Sequence, residues 1–304
     1  MNSDLDLTQL KSWVGRRQEQ VDVTAPGPIA KLMATLDRDD PVPVPGDPAP
    51  PLAHWLYFLS HSRNSELGSD GHDARGGFLP PIPFPRRMWA GGRIEFLQPL
   101  RVGERIRKVS EITELSFKEG RSGPLVFVTV HHEISGEDGT AIREDQNIVY
   151  REDAAASSRL ASPSARPPVS SPPPPDAGAG TGRFGDAPWR RRVLPDPVML
   201  FRYSALTFNS HRIHYDHPYA TGEEGYPGLV VHGPLTATLL LDLCRRELPD
   251  AGIAVFDYKA SRPLFAGSPV ILTGTPSPDG SKAALQALNA DGAIAMAATA
   301  EFRA

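Results

Sequence analysis

Two short stretches, one in each half of the chain, repeat one another. Pro99-Leu-Arg-Val-Gly-Glu-Arg-Ile106 and Pro263-Leu-Phe-Ala-Gly-Ser-Pro-Val270 both fit Pro-Leu-x-x-Gly-x-x-[Ile/Val]. A strand-like alternating run precedes each, Arg93-Ile-Glu-Phe-Leu97 in the first and Val255-Phe-Asp-Tyr-Lys259 in the second. An Asp-Gly pair follows each, Asp138-Gly139 and Asp291-Gly292, and leads into a final strand over 141–150 or 293–302. An Asp-Gly pair between apolar runs is a hairpin signal. The shared order of these features predicts an internal duplication of a curved antiparallel sheet. Between the copies the chain contains little but Ala, Ser, Pro and Gly, including Pro172-Pro-Pro-Pro175. Such a segment buries too little apolar surface to offset its ordering entropy, so 154–182 reads as a linker. The domains expected are 1–153 and 183–304.

The helices differ between the copies. Residues 234–247 predict a largely apolar, buried helix with Pro234 in its first turn and Arg245 and Arg246 near its end. The comparable first-half stretch, 78–90, carries four prolines, which argues against a regular helix. Further helices are expected over 4–19 and 27–36. The predicted class is α+β.

Composition excludes several functions. A net charge of -4 with no long basic stripe argues against nucleic acid as a partner. The single cysteine, Cys244, excludes an intramolecular disulfide and any multi-cysteine metal site. No apolar run reaches the ~20 residues a membrane span needs, and the acidic start carries no secretory signal. A cytoplasmic protein is the expectation, with no membrane partner.

The chemistry concentrates in Phe208-Asn-Ser-His-Arg-Ile-His-Tyr-Asp-His-Pro-Tyr-Ala220, which holds His211, His214 and His217. From the residues alone the triplet is open between metal binding, proton transfer and coincidence, and His214 between a structural and a catalytic role. Pro218 follows at once and no cysteine or spaced carboxylate completes a shell, so no metal is expected. His211 and His217 read as structural or surface residues, and Asp216 as a turn residue.

This stretch, with Tyr203-Ser-Ala-Leu-Thr-Phe before it and Leu229-Val-Val-His-Gly-Pro-Leu235 after it, resembles the MaoC-like R-specific hydratases and dehydratases. The resemblance is strongest to the branch with mesaconyl-CoA and itaconyl-CoA hydratases and the mitochondrial 3-hydroxyacyl-thioester dehydratases. It implies a tandem (double) hotdog fold, in which each antiparallel sheet wraps a central helix. The implied pseudo-dimer within one chain leaves further pairing between chains open. The implied activity is a hydro-lyase acting on an acyl-CoA or acyl-carrier thioester, without a cofactor. The wider family pattern is Asp-x-Asn-Pro-x-His. Asn209 takes its Asp position and His214 its His position, so no base stands at 209.

His214 is then the expected acid/base. Asn209 orients water, and the Gly233 N–H at the helix start is the oxyanion donor. Arg212, His232, Val231 and Tyr203 are the expected substrate-side residues, with Tyr203 read as part of a strand or loop. No equivalent pair is found in the first half, which is expected to be degenerate and non-catalytic. Two readings of the first half stay open: its proline-rich stretch leaves room for an acyl chain or pantetheine arm, or the half simply completes the sheet of a pseudo-dimer. Two alternatives remain: a hotdog acyl-CoA thioesterase, and a catalytically silent thioester-binding subunit.

Overall fold

The duplication is realised as one ten-stranded antiparallel sheet. The computed structural model describes residues 7–120, 123–151 and 187–303, and the linker expected over 154–182 lies outside the described residues. The first half contributes β1 (Arg17–Val23), β2 (Arg86–Phe96), β3 (Arg105–Gly120), β4 (Gly123–Gly136) and β5 (Gly139–Arg151). The second contributes β6 (Trp189–Val193), β7 (Ile253–Ala260), β8 (Val270–Pro276), β9 (Lys282–Leu288) and β10 (Ile294–Phe302). Their spatial order is β1-β3-β4-β5-β2-β7-β10-β9-β8-β6. Read outward from the centre, the two halves have the same order, which is the arrangement of an internal two-fold. The join is β2 on β7, running from Gly91↔Lys259 to Glu95↔Val255. In both copies of the repeated motif the glycine is left-handed, φ 90° at Gly103 and 80° at Gly267. That backbone favours glycine and turns the chain into β3 and β8.

Among the described residues four α-helices accompany the sheet: α1 (Leu7–Lys11), α2 (Pro26–Thr35), α3 (Pro197–Thr207) and α4 (Gly233–Glu247). α4 is buried continuously from Leu235 to Cys244 and sits against β6, β8, β9 and β10. It is therefore the central helix of the second half. α2 and α3 follow β1 and β6 respectively and pack on each other. Asp196 caps α3, its side chain accepting a 2.7 Å hydrogen bond from the Met199 N–H, and Pro197 opens the first turn.

Of the helix expected over 4–19, residues 4–6 lie outside the described residues, Leu7–Lys11 is helical, and 17–23 is instead the edge strand β1. Its pairing with β3 decides the conformation, including the Arg107–Glu19 ion pair at 2.6 Å. Charged side chains suit such an exposed edge. Residues 78–85 form no helix, as the prolines require. Ile82 and Phe84 are fully buried against Ile112, Val126, Val128 and Tyr150 on the first sheet. These two side chains occupy part of the room expected there for an acyl chain.

Candidate active site

α3 ends at Phe208, whose φ of 49° turns the chain out of the helix. The Asn209 N–H donates to the Ser204 carbonyl (2.9 Å). The Asn209 side-chain oxygen accepts from the His211 N–H (3.0 Å). Asn209 thus folds its own loop as an Asx turn. A 3-10 turn, Arg212–His214, then delivers His214 into the interior. Its Nδ1 lies 2.7 Å from the Val230 carbonyl. A carbonyl can only accept, so Nδ1 carries the proton and Nε2 keeps its lone pair.

The ring of His214 stacks on His232, centroids 3.6 Å apart and planes at 19°. His232 is the N-cap residue of α4 and is fully buried. Its Nε2 meets Ser204 Oγ at 2.9 Å. The His214 ring therefore stacks on the residue that immediately precedes Gly233. Among the described residues no backbone acceptor is bound to the Gly233 N–H. It is one of the unpaired donors at the positive end of α4. A Cβ at 233 would stand 2.8 Å from Trp89 Cε3, so only glycine admits this approach. Trp89 comes from β2 of the first half and stacks on Tyr258 at 4.5 Å. Trp89 Nε1, Tyr258 OH and His232 Nδ1 are all buried, and no protein partner is found for them among the described residues. Buried polar atoms without a partner are uncommon in a folded interior.

A second contribution from the first half has no counterpart in the sequence reading. The loop 68–73 docks on the 209–212 loop. Ser210 Oγ donates to the Gly71 carbonyl (2.5 Å), and the Arg212 N–H donates to the Asp70 carbonyl (2.9 Å). Gly71, at φ 88°, admits no side chain, because a Cβ would overlap the Ser210 carbonyl oxygen. Asp70 Oδ2 lies 3.1 Å from His72 Nδ1. The His72 ring packs 4.0 Å from His211, which is 5.5 Å from His214. Four imidazoles thus form a row, His72, His211, His214 and His232. The donor atoms of Asp70, His72 and His211 lie within 4.8 Å of one another. Asp70 and His72 already satisfy each other, so we read them as a hydrogen-bonded pair rather than as ligands.

The remaining expected residues have other duties. Arg212 pairs with Asp216 (2.7 Å), donates to the Ser69 carbonyl (3.0 Å) and lies 4.1 Å over the Tyr219 ring. Its charge is committed to holding the loop. Tyr203 lies on α3 rather than on a strand or loop, buried with its ring 5.1 Å from His232. Val231 is buried, and its N–H donates to the Leu264 carbonyl (2.8 Å). His217 is exposed. A cavity of about 290 Å3 lined by Pro50, His54, Phe96, Leu100 and Arg303 includes none of the four imidazoles, and the chemistry is not placed there.

Burial lowers His211 to about 2 and His214 to about 4, with the neighbouring imidazoles adding to the effect. Burial also pushes His232 well below its usual value. In the unfolded chain all three titrate near ~6.5. Below that pH the unfolded chain binds protons that the folded chain refuses, so stability is full above it and falls as pH drops towards the folded values. One pH unit below the unfolded value costs about 1.4 kcal/mol per buried imidazole. Urea midpoints measured at about pH 7.5 and about pH 5.5 are expected to show a clear loss at the lower pH.

Comparison with known proteins shows the family. The sequence model of the hydroxyacyl-thioester dehydratase type 2 family matches residues 52–266. The chain belongs to this family. It is accordingly a hydro-lyase of acyl thioesters. It is 46% identical over 291 residues to the mesaconyl-C(4)-CoA hydratase of Chloroflexus aurantiacus, covering 96% of this chain and 97% of that protein. It is 30% identical over 286 residues to the mitochondrial hydroxyacyl-thioester dehydratase type 2 of Schizosaccharomyces pombe, covering 82% of this chain and 87% of that one. Among solved structures, a MaoC-like dehydratase superposes with a TM-score of 0.68 at 15% identity, over 97% of this chain and 99% of the other. A Mycobacterium tuberculosis protein with a double hotdog fold gives 0.57 at 14% identity, over 95% and 96%. These two likenesses support the double hotdog architecture.

Proposed function

We propose that this hydro-lyase adds water to a branched, unsaturated dicarboxylyl-CoA of the mesaconyl type, using His214, Gly233 and the loop at Asn209. The observation that carries the reading is the stack of His214 on the N-cap of α4. It supports the reading because His214, protonated on Nδ1, packs on the residue that precedes the unpaired Gly233 amide. The Gly233 N–H, reinforced by the dipole of α4, polarises the thioester carbonyl and holds the negative charge that develops on its oxygen. The water oxygen bonds to the β carbon as His214 Nε2 takes one of its protons. The same imidazole then delivers that proton to the α carbon. The reverse sequence dehydrates a 3-hydroxyacyl thioester. Asn209 keeps the loop in register through its Asx turn.

The relative that is 46% identical acts, by its name, on mesaconyl-C(4)-CoA. Such a substrate carries a free carboxylate besides its thioester, and Arg212 is not free to meet it. Arg87 is better placed. It lies on β2 two residues from Trp89, and the register puts it opposite Tyr150 and Trp89 opposite Ile148, on one face. Its charge acts on Tyr150, His72 and His211. Among the described residues no carboxylate pairs with it. A charge-assisted bond to substrate from Arg87 would favour mesaconyl-CoA over crotonyl-CoA in kcat/KM by roughly 10–100-fold. Arg87→Met is expected to remove that preference while sparing crotonyl-CoA. Equal rates on the two thioesters with the wild-type enzyme would contradict the substrate class.

A further inference from the structure

We infer that Asp70 and His72, carried by the first half, supply the carboxylate-backed imidazole of the site: His72 Nε2 makes the second contact to the attacking water, and Asp70 positions it. The inference rests on the hydration reading above and goes beyond it by making both halves of the chain part of the catalytic centre.

Four observations lead there. Position 209, where the wider pattern has a carboxylate, holds an amide whose oxygen is already used by the His211 N–H. Asp216, the carboxylate nearest His214 in sequence, is taken by Arg212 and by the Tyr219 N–H. Along the row of four imidazoles, the one carboxylate among the described residues that is hydrogen-bonded to a ring is Asp70, on His72 Nδ1 at 3.1 Å. Finally, the 68–73 loop is built into the site rather than resting on it. Ser69, Asp70 and Gly71 all receive hydrogen bonds from Ser210 or Arg212, and Gly71 makes room for the approach.

Water has two O–H groups, and two imidazoles now have matching lone pairs. His214 is oriented through Nδ1 by the Val230 carbonyl, and His72 through Nδ1 by Asp70. Each presents Nε2. As the oxygen–carbon bond forms, the O–H facing His214 breaks and its proton passes through Nε2 to the α carbon. The O–H facing His72 stays intact and becomes the product hydroxyl. Asp70 fixes the His72 tautomer and ring orientation, as carboxylates do behind histidines elsewhere. It is a positioning residue, and His72 is the catalytic one. The charged or titratable groups around His72 are Asp70 and Asp73 from its own loop, Arg87 from β2, and His211 from the facing loop.

The test compares wild type, His72→Gln and Asp70→Asn on one thioester that the wild type hydrates, with folding checked by circular dichroism. His72→Gln is expected to lower kcat by roughly 10²-fold with little change in thioester affinity. Asp70→Asn removes the charge that supports a proton on His72. It is expected to lower kcat and to move the acid limb of kcat/KM to lower pH, whereas a merely structural loop role would raise KM and leave the limb in place. If Asp70→Asn fails to fold, His72→Gln carries the test alone. Both variants within twofold of wild type would overturn the inference and leave the hydration reading intact. A wild type inert towards every enoyl thioester would remove both. Activity lost on treatment with EDTA and restored by zinc would also overturn it, since Asp70 and His72 would then be ligands.

Discussion

His214→Gln is expected to lower the rate of hydration by roughly 10²–10⁴, or about 3–5 kcal/mol of transition-state stabilisation. Glutamine can still donate a hydrogen bond to the Val230 carbonyl, so the loop geometry is preserved. What it lacks is a lone pair able to take a proton from water. The loss should therefore fall on kcat, with thioester affinity near that of wild type, because binding draws on the helix tip and the surrounding walls. Single-turnover rates together with equilibrium binding of the thioester separate the two. Full activity in the variant would remove His214 from the chemistry.

The largest effect on stability is expected at Asp242. This carboxylate lies on α4 with its side chain almost fully buried. Its Oδ1 accepts from Arg38 (2.8 Å), and its Oδ2 accepts from Arg191 (2.5 Å) and Arg246 (2.8 Å). Arg38 belongs to the first half, and the other two to the second. Arg191 and Arg246 also donate to the Leu36 carbonyl, at 3.0 and 2.9 Å. One buried carboxylate thus clamps the two copies of the repeat together through three guanidinium groups. Asp242→Ala leaves those charges without their shared partner, and breaking a buried pair of this kind costs about 3–5 kcal/mol. The urea midpoint should fall by that amount of stability at an unchanged m value. A midpoint equal to wild type would mean that water replaces the carboxylate at no cost.

Much of this architecture could be read from local chemistry. The Pro-Leu-x-x-Gly motif marks the same turn in each half because the glycine must be left-handed there. The run 234–247 is apolar around most of its circumference, and it becomes the buried helix of the second half. His214 and Gly233 could be paired in advance because the family string carries both. What could not be read depends on partners remote in the sequence. Strand β1 is set by its pairing with β3, and local composition at 17–23 does not reveal that. Ile82 and Phe84 lie among prolines that suggested open space, yet the first sheet draws them into a small core of its own. Tyr203 proved helical because Asp196 and Pro197 start a helix upstream, a capping signal present in the sequence. Asp70 and His72 had a weaker signal, an Asp-Gly-His string with glycine at the close approach. Only the fold shows that this loop reaches His211. Arg212 could be quenched by Asp216 at i+4, a spacing visible in advance.

The central claim is that His214 Nε2 and the Gly233 amide act together on one enoyl thioester to add water across its double bond. The most direct measurement follows enoyl absorbance and free thiol in the same sample as the purified protein meets mesaconyl-CoA. Loss of enoyl absorbance without release of thiol is the predicted result. Thiol appearing in step with substrate loss, or no change in either signal, would contradict it.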